Sequence, residues 1–170
     1  MPYRIMNAAN PTTAAPATVA TGAAIKTMLQ ALPGVPIRII EWGYSFSSAV
    51  AVGTIELLDT GAVVATVTAY AAGDVSPVGG SEPANTAGTG GLPLNLGTAQ
   101  SGFTGSAEGT ITVTRGLDVH RITPNPNLPI WRQFVLRDEP GLPIGKVGRI
   151  RVTMTADVNM FVYLIFRVGE

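Results

Sequence analysis

His120 is the one histidine in this 170-residue chain, and it lies between Asp118 and Arg121. A carboxylate that orients an imidazole can make it the general base of a serine nucleophile. That serine would have to come from a distant segment, and no serine of this sequence stands in a nucleophile signature. We therefore predict that His120 has a structural role.

The sequence offers little to a metal ion or a cofactor. It contains no cysteine, and its eleven Asp and Glu residues are dispersed, without the alternating acidic loop of a calcium site. The glycine-rich letters GTGG at 88–91 lack the strand-to-helix context of a dinucleotide site. We predict no metal site, no cofactor and no enzymatic activity.

The sharpest chemical candidate is LLDTGA at 57–62. It resembles the active-site signature of retroviral-type aspartic proteases, which implies that Asp59 is a catalytic carboxylate paired with its own copy across a homodimer. Two close carboxylates share one proton and so supply an acid and a base together. The same letters also suit a hairpin whose strands meet at Asp59-Thr60-Gly61, because Gly61 can adopt a positive φ.

Charge in this sequence is scarce and balanced. Eleven Lys and Arg residues match eleven Asp and Glu residues, and charged residues make up 13% of the chain, about half of the usual ~25%. Nonspecific affinity for nucleic acid depends on clustered Lys and Arg, so we predict no nucleic-acid partner. Protein interfaces are depleted in charge, and we expect a surface that other proteins occupy.

The C-terminal stretch VNMFVYLIFRVGE has an unbroken apolar or aromatic run from Met160 to Phe166. A membrane span needs ~20 such residues, so we predict no membrane partner. In a strand, alternate side chains lie on opposite faces. We predict that one face packs in the core and that the other, with Phe161, Tyr163 and Ile165, contacts a second layer or a sister subunit.

A second aromatic strand is predicted at IRIIEWGYSFS, residues 37–47. Alternation places Ile40, Trp42, Tyr44 and Phe46 on one face. Such a large aromatic surface is typical of a sheet interior or a subunit contact.

The N-terminal third departs from this pattern. Residues 1–20 are rich in Ala, Thr, Asn and Pro, which predicts an extended arm. We expect Tyr3, Arg4, Ile5 and Met6 of this arm to bind a partner. From about 21 to 32, apolar residues recur at helical spacing up to Pro33-Gly34, which predicts one short helix.

The remaining pattern predicts seven or eight short strands. We expect an all-β fold, an antiparallel β-sandwich or jelly-roll-like domain over 21–170, with a long glycine-rich loop at about 71–106. The last two strands are expected to form a hairpin about Ala156 to Asn159. A loop as long as 71–106 is typical of functional segments or of segments that a partner orders.

Three stretches together resemble small virion proteins of tailed bacteriophages, especially phages of actinobacteria. They are the Ala/Thr/Pro arm with its helix, the 37–47 strand, and WRQFVLRDEPGLPIGKVGRIRVTMTADVNMFVYLIFR. The resemblance is to head decoration, or cement, proteins. It implies a homo-oligomer, often a trimer, that binds the major capsid protein on the virion surface after assembly in the host cytoplasm.

Two other functions stay open at this point. A tail or fibre adhesin domain would use a similar sandwich trimer for receptor binding, and the aspartic protease would use Asp59. A platform of exposed Trp or Tyr rings would favour sugar binding, although aromatic residues at alternate strand positions usually lie in the core.

Overall fold

The computed structural model describes residues 2–9, 17–19, 25–47, 52–79, 93–110, 115–123 and 129–169. Within them the chain forms strands and one 3-10 turn, η1 (Ala72–Asp74). The strands are β1 (Pro2–Met6), β2 (Ala17–Val19), β3 (Ile25–Ala31), β4 (Ile37–Phe46), β5 (Gly53–Asp59), β6 (Thr66–Ala69), β7 (Ser76–Pro77), β8 (Gly102–Ala107), β9 (Arg115–Ile122), β10 (Ile130–Gln133), β11 (Gly141–Leu142), β12 (Gly148–Met154) and β13 (Val158–Val168).

These strands form two antiparallel sheets. The seven-stranded sheet has the order β10-β4-β13-β1-β7, with β11 also paired to β4 and β2 also paired to β13. The six-stranded sheet has the order β6-β8-β3-β12-β5-β9. One apolar core contains buried residues of both sheets, which confirms the prediction of an all-β antiparallel sandwich.

The core is built by strict alternation along β13. Its inward residues are fully or almost fully buried, and its intervening residues are partly exposed, as the sequence predicted. The inward residues are Val158, Met160, Val162, Leu164 and Phe166.

The predicted helix at 21–32 is wrong where the structure describes it, because Ile25–Ala31 is strand β3. Residues 21–24 lie outside the described residues. The register of β3 on β12 shifts between Leu29 and Thr27, so Met28 has no partner and forms a bulge. The bulge turns both Met28 and Leu29 into the core, which imitates the i+3, i+4 spacing of a helix.

Residues 2–6 of the predicted extended arm are extended, but they belong to the seven-stranded sheet and are not an arm separate from the domain. They form β1, which pairs along its whole length with β13, from Pro2 opposite Arg167 to Met6 opposite Tyr163. Ile5 is fully buried in the core. Residues 10–16 of the predicted arm lie outside the described residues.

Three other predicted connections differ from the structure. The 71–106 loop contains η1, β7 and the start of β8, and residues 80–92 lie outside the described residues. The turn at Asp59 does not join a hairpin, because β5 pairs with β12 and β9 whereas β6 pairs with β8. Strands β12 and β13 lie in different sheets, so the final hairpin is also absent.

Candidate functional site

The outer face of the seven-stranded sheet carries partly exposed apolar and aromatic side chains. Phe161, Tyr163 and Ile165 of β13 lie on it and are partly exposed. The rings of Phe161 and Tyr163 are adjacent, with centroids 6.1 Å apart. The sequence predicted this set of outward residues, and in the described chain no second sheet covers them.

Gly43 shapes the middle of this face. It pairs with Tyr163 on one side and with Trp131 of β10 on the other. A Cβ at Gly43 would lie 2.7 Å from Cε1 of Tyr163 and 2.8 Å from the carbonyl oxygen of Ile130. Glycine is therefore required here so that the Tyr163 ring can lie across β4.

The Tyr163 hydroxyl donates a 2.6 Å hydrogen bond to Oε1 of Glu41. Burial, and then the hydrogen bond and the charge of Glu41, raise the pKa of Tyr163 above its ordinary value. Tyr163 therefore stays protonated and holds the Glu41 carboxylate in place on the outer face. Gln133 of β10 lies directly opposite Glu41 in the sheet.

Strand β10 extends this face to the edge of the sheet, and all four of its residues are exposed. Trp131 is 62% exposed, and Val135 and Leu136, which follow β10, are 71% and 68% exposed. Contiguous exposed apolar side chains mark interaction sites. We call Ile130–Asp138 the β10 edge.

The sequence pattern alone does not distinguish Trp131 from the buried aromatic residues of the other strands. Its neighbours in WRQFVLRDEP lack the clean alternation of a half-buried strand, and that irregularity was the one signal available. Exposure of an edge strand depends on pairing with β4, which is distant in sequence.

The predicted aromatic residues of β4 lie on the opposite, inner face. Trp42, Tyr44 and Phe46 are buried in the core, and Ile39 lies inward in place of Ile40 because the register on β13 shifts there. Of the two locations that the sequence left open, the structure places Trp42, Tyr44 and Phe46 in the sheet interior.

A polar cluster joins these rings to β9 of the other sheet. Nε1 of Trp42 donates to Oδ2 of Asp118 at 3.0 Å, and the Tyr44 hydroxyl lies 3.1 Å from Nδ1 of His120. His120 Nε2 is 3.4 Å from Oδ2 of Asp118, and the imidazole stacks on the Trp42 ring. Burial and the Asp118 charge raise the pKa of Tyr44 to about 12, so its phenol is not an activated nucleophile at neutral pH. The cluster connects the two sheets.

Asp59 is nearly buried and takes part in a turn. Its Oδ1 accepts a 2.8 Å hydrogen bond from the N–H of Gly61, which has φ +65°, and its Oδ2 is 3.4 Å from Nη2 of Arg115. Reciprocal backbone hydrogen bonds hold Thr60 and Gly61 to Val147. The turn needs an acceptor side chain at Asp59 and a positive φ at Gly61, so its geometry explains the Asp-Thr-Gly sequence without a catalytic role.

The four predicted arm residues are distributed over both faces of β1. Ile5 points into the core, and Tyr3 stacks on Phe166 with centroids 5.8 Å apart. Met6 is 6% exposed, whereas Arg4 is exposed. Of the four, Arg4 is exposed, Tyr3 is partly exposed, and Ile5 and Met6 are buried.

The outer face of the six-stranded sheet has a different chemistry. Arg149 and Arg151 of β12 lie on it, and both are buried and paired with a carboxylate. Arg149 donates to the carbonyl oxygens of Val63 and Glu108, and its Nη1 is 3.7 Å from the Glu108 carboxylate. Burial lowers the pKa of Arg149, and the Glu108 charge opposes that shift.

Comparison with protein-family models, curated proteins and solved structures found no match to this chain. In the part of the chain that the structure describes, no three His, Cys, Asp or Glu side chains come together as a metal site. In the same part, no helix is long and apolar enough to cross a membrane. The candidate site is thus an apolar and aromatic surface of the seven-stranded sheet.

Proposed function

We propose that this chain is a structural virion protein, a decoration protein that binds the major capsid protein on the outside of a bacteriophage head and stabilises the shell. The observation that carries the proposal is the β10 edge, where Trp131, Val135 and Leu136 are largely exposed beside the aromatic outer face. An isolated domain gains nothing from such exposure, whereas a partner that buries these side chains gains apolar contact area.

The proposed assembly is a homotrimer. Tyr163 and Phe161 are only partly covered in the single chain, and a sister subunit on this face would complete their burial. A trimer also presents three binding sites to a repetitive shell, so that weak individual contacts add up through effective concentration.

The test is co-sedimentation of the purified protein with empty shells of the major capsid protein encoded in the same genome. We expect saturable, stoichiometric binding, a raised thermal midpoint of the shells, and loss of binding in Trp131→Ser. Absence of binding to expanded shells at micromolar concentrations would contradict the proposal. Light scattering of the free protein tests the trimer separately.

A second candidate, an adhesin domain, is favoured by the chemistry around Trp131. An exposed indole next to a fixed carboxylate, Glu41, and an amide, Gln133, matches the stacking and hydrogen-bonding needs of a sugar ring. A glycan array would distinguish the two functions. A signal that Trp131→Ser abolishes supports the adhesin, and a blank array together with shell binding supports decoration.

A further inference from the structure

The zero net charge of the chain hides an asymmetry between its acids and its bases. Most carboxylates of the described residues accept a hydrogen bond or an ion pair from within the chain. Those with such a partner include Glu41, Glu56, Asp59, Glu108, Asp118 and Glu139. The exposed charges of the described residues are mainly basic, because six exposed side chains are basic and two are acidic. The basic ones are Arg4, Arg115, Arg121, Arg132, Arg137 and Lys146, and the acidic ones are Asp138 and Asp157.

Part of this basic charge lies on the β10 edge. Arg132 and Arg137 are exposed, and neither has an acidic partner among the described residues. Arg132 lies over the ring of Phe134 at 5.8 Å from its centroid, which leaves the guanidinium free for a carboxylate. Asp138 is the one exposed acid in the segment. The β10 edge thus combines apolar side chains with net positive charge.

The backbone of β10 is also available. The N–H of Phe134 donates to the carbonyl of Ile40, so the next even-numbered residues of β10 bond β4 in the antiparallel pattern. By alternation, the N–H and C=O groups of Trp131 and Gln133 point away from β4. Among the described residues β10 is the last strand on this side of the sheet, so within them these groups form an open pairing edge.

A second copy of this chain is a poor occupant of the edge. When two β10 strands pair antiparallel so that Trp131 lies opposite Gln133 of the other copy, Arg132 lies opposite its own copy, and like charges opposite one another destabilise a sheet. An acidic strand would instead pair the same arginines and leave Trp131 and Leu136 to cover its apolar residues.

We propose that the β10 edge binds an extended acidic segment of a partner protein by strand addition, next to β10 in the seven-stranded sheet. The backbone of Trp131 and Gln133 supplies the pairing hydrogen bonds. Arg132 and Arg137 select carboxylates, and the exposed apolar side chains contact every second residue of the segment. The inference deepens the proposed function and rests on it for the identity of the partner as a capsid subunit.

The test uses two fluorescein-labelled octapeptides, VEVEVEVE and VKVKVKVK, in anisotropy titrations with the full chain at low salt. We expect the acidic peptide to bind at least about tenfold tighter than the basic one, and the difference to shrink with added salt. The double variant Arg132→Glu/Arg137→Glu should reverse this order. Arg4→Glu/Arg121→Glu, at two exposed arginines outside the β10 edge, is the charge-matched control and should leave the order unchanged.

Gln133→Pro tests strand addition by itself. It removes an N–H that points away from β4, and edge strands tolerate proline. We expect it to weaken acidic-peptide binding by about fivefold or more while the thermal midpoint stays near that of the parent. If Gln133→Pro unfolds the chain, Gln133 N-methylated by semisynthesis replaces it in the same titration.

The inference is overturned if the two peptides bind equally, if neither binds at millimolar concentration, or if Gln133→Pro binds as well as the parent. The shell assay separates it from the proposed function. Shells that bind the parent and the Arg132→Glu/Arg137→Glu variant equally leave decoration standing and overturn the acidic-strand inference. Peptide binding with the expected order, but no shell binding, supports the inference and contradicts decoration.

Discussion

The outer faces of the two sheets differ in how far the chain itself covers them. The six-stranded sheet covers its outer face with the chain's own loops, which bury Thr27, Gln30 and Arg149 in a hydrogen-bonded layer. The seven-stranded sheet leaves Tyr163 partly exposed and continues to the open β10 edge. Buried polar groups need hydrogen-bond partners within the chain, whereas an exposed apolar face can be buried by a partner protein. The comparison shows a polar outer face that the chain covers itself beside an apolar outer face that is partly exposed in the described residues.

The largest expected effect concerns the covered face. Glu108→Ala removes the carboxylate that faces Arg149 and that accepts two 2.6 Å hydrogen bonds from Thr27. Because a buried guanidinium is left without its counter-charge, we expect the free energy of unfolding to fall by about 3 kcal/mol. Urea denaturation measures it. Glu56→Ala, whose carboxylate is more exposed beside Arg151, is the control and should cost less.

If Glu108→Ala costs no more than an ordinary surface substitution, the covered face is not a stability element. The contrast between the two sheets would then fail on that side.

The next effect concerns the packing of the open face. Gly43→Ala places a methyl group against the Tyr163 ring and the Ile130 carbonyl, so one of them must move. We expect a loss of about 2 kcal/mol in the free energy of unfolding, because overpacking forces a backbone shift. Gly141→Ala, where a Cβ would meet nothing within 4 Å, is the matched control. Equal stability of the two variants would show that the Tyr163 ring is loosely held.

A smaller effect is expected from pH. The folded pKa of Tyr163 is raised above the ordinary 10.0, so its contribution to stability is complete below about pH 10 and is lost as pH rises through the folded pKa. In Tyr163→Phe this part of the alkaline loss should disappear. Unfolding midpoints of the two proteins at pH 9 and at pH 11 measure the difference. A parallel decline in both would mean that folding does not raise the pKa of Tyr163.

The smallest effect on stability is expected at the β10 edge. Trp131→Ser should change the free energy of unfolding by less than about 0.5 kcal/mol, because the indole is mostly in solvent. Trp42→Ser, in the core, should be severely destabilised. Thermal unfolding of both variants makes the comparison. A large loss from Trp131→Ser would mean that the β10 edge is part of the fold and not a binding surface.

Much of the sheet pattern was predictable from sequence. In β13, the residues predicted to face the core are buried, and those predicted to face outward are partly exposed. In β4 the prediction holds from Trp42 onward and fails at Ile40, where the bulge changes the face. Residue period predicts faces only between bulges, because a bulge shifts every preceding side chain to the other face.

The helix prediction failed for a related reason. β3 is buried on both faces, since the loops cover its outer side, so Thr27 and Gln30 are as buried as Met28. A strand that is buried on both sides shows no two-residue alternation of apolar and polar residues. The bulge at Met28 gives the apolar residues of β3 a spacing that resembles that of a helix. The predicted hairpins at Asp59 and between β12 and β13 are both wrong. Turn-forming residues predict where the chain reverses, but they do not predict which strands pair in the sheet.

The sequence by itself determined the β class, the faces of β13 and the absence of cysteine chemistry, because these depend on residue type and local period. Tertiary structure decided that Trp42 is core and Trp131 is surface, that Arg149 is buried, and that β1 belongs to the seven-stranded sheet. Each of these outcomes depends on pairing between segments far apart in the chain. Local propensity carries no information about which distant strand will cover a side chain.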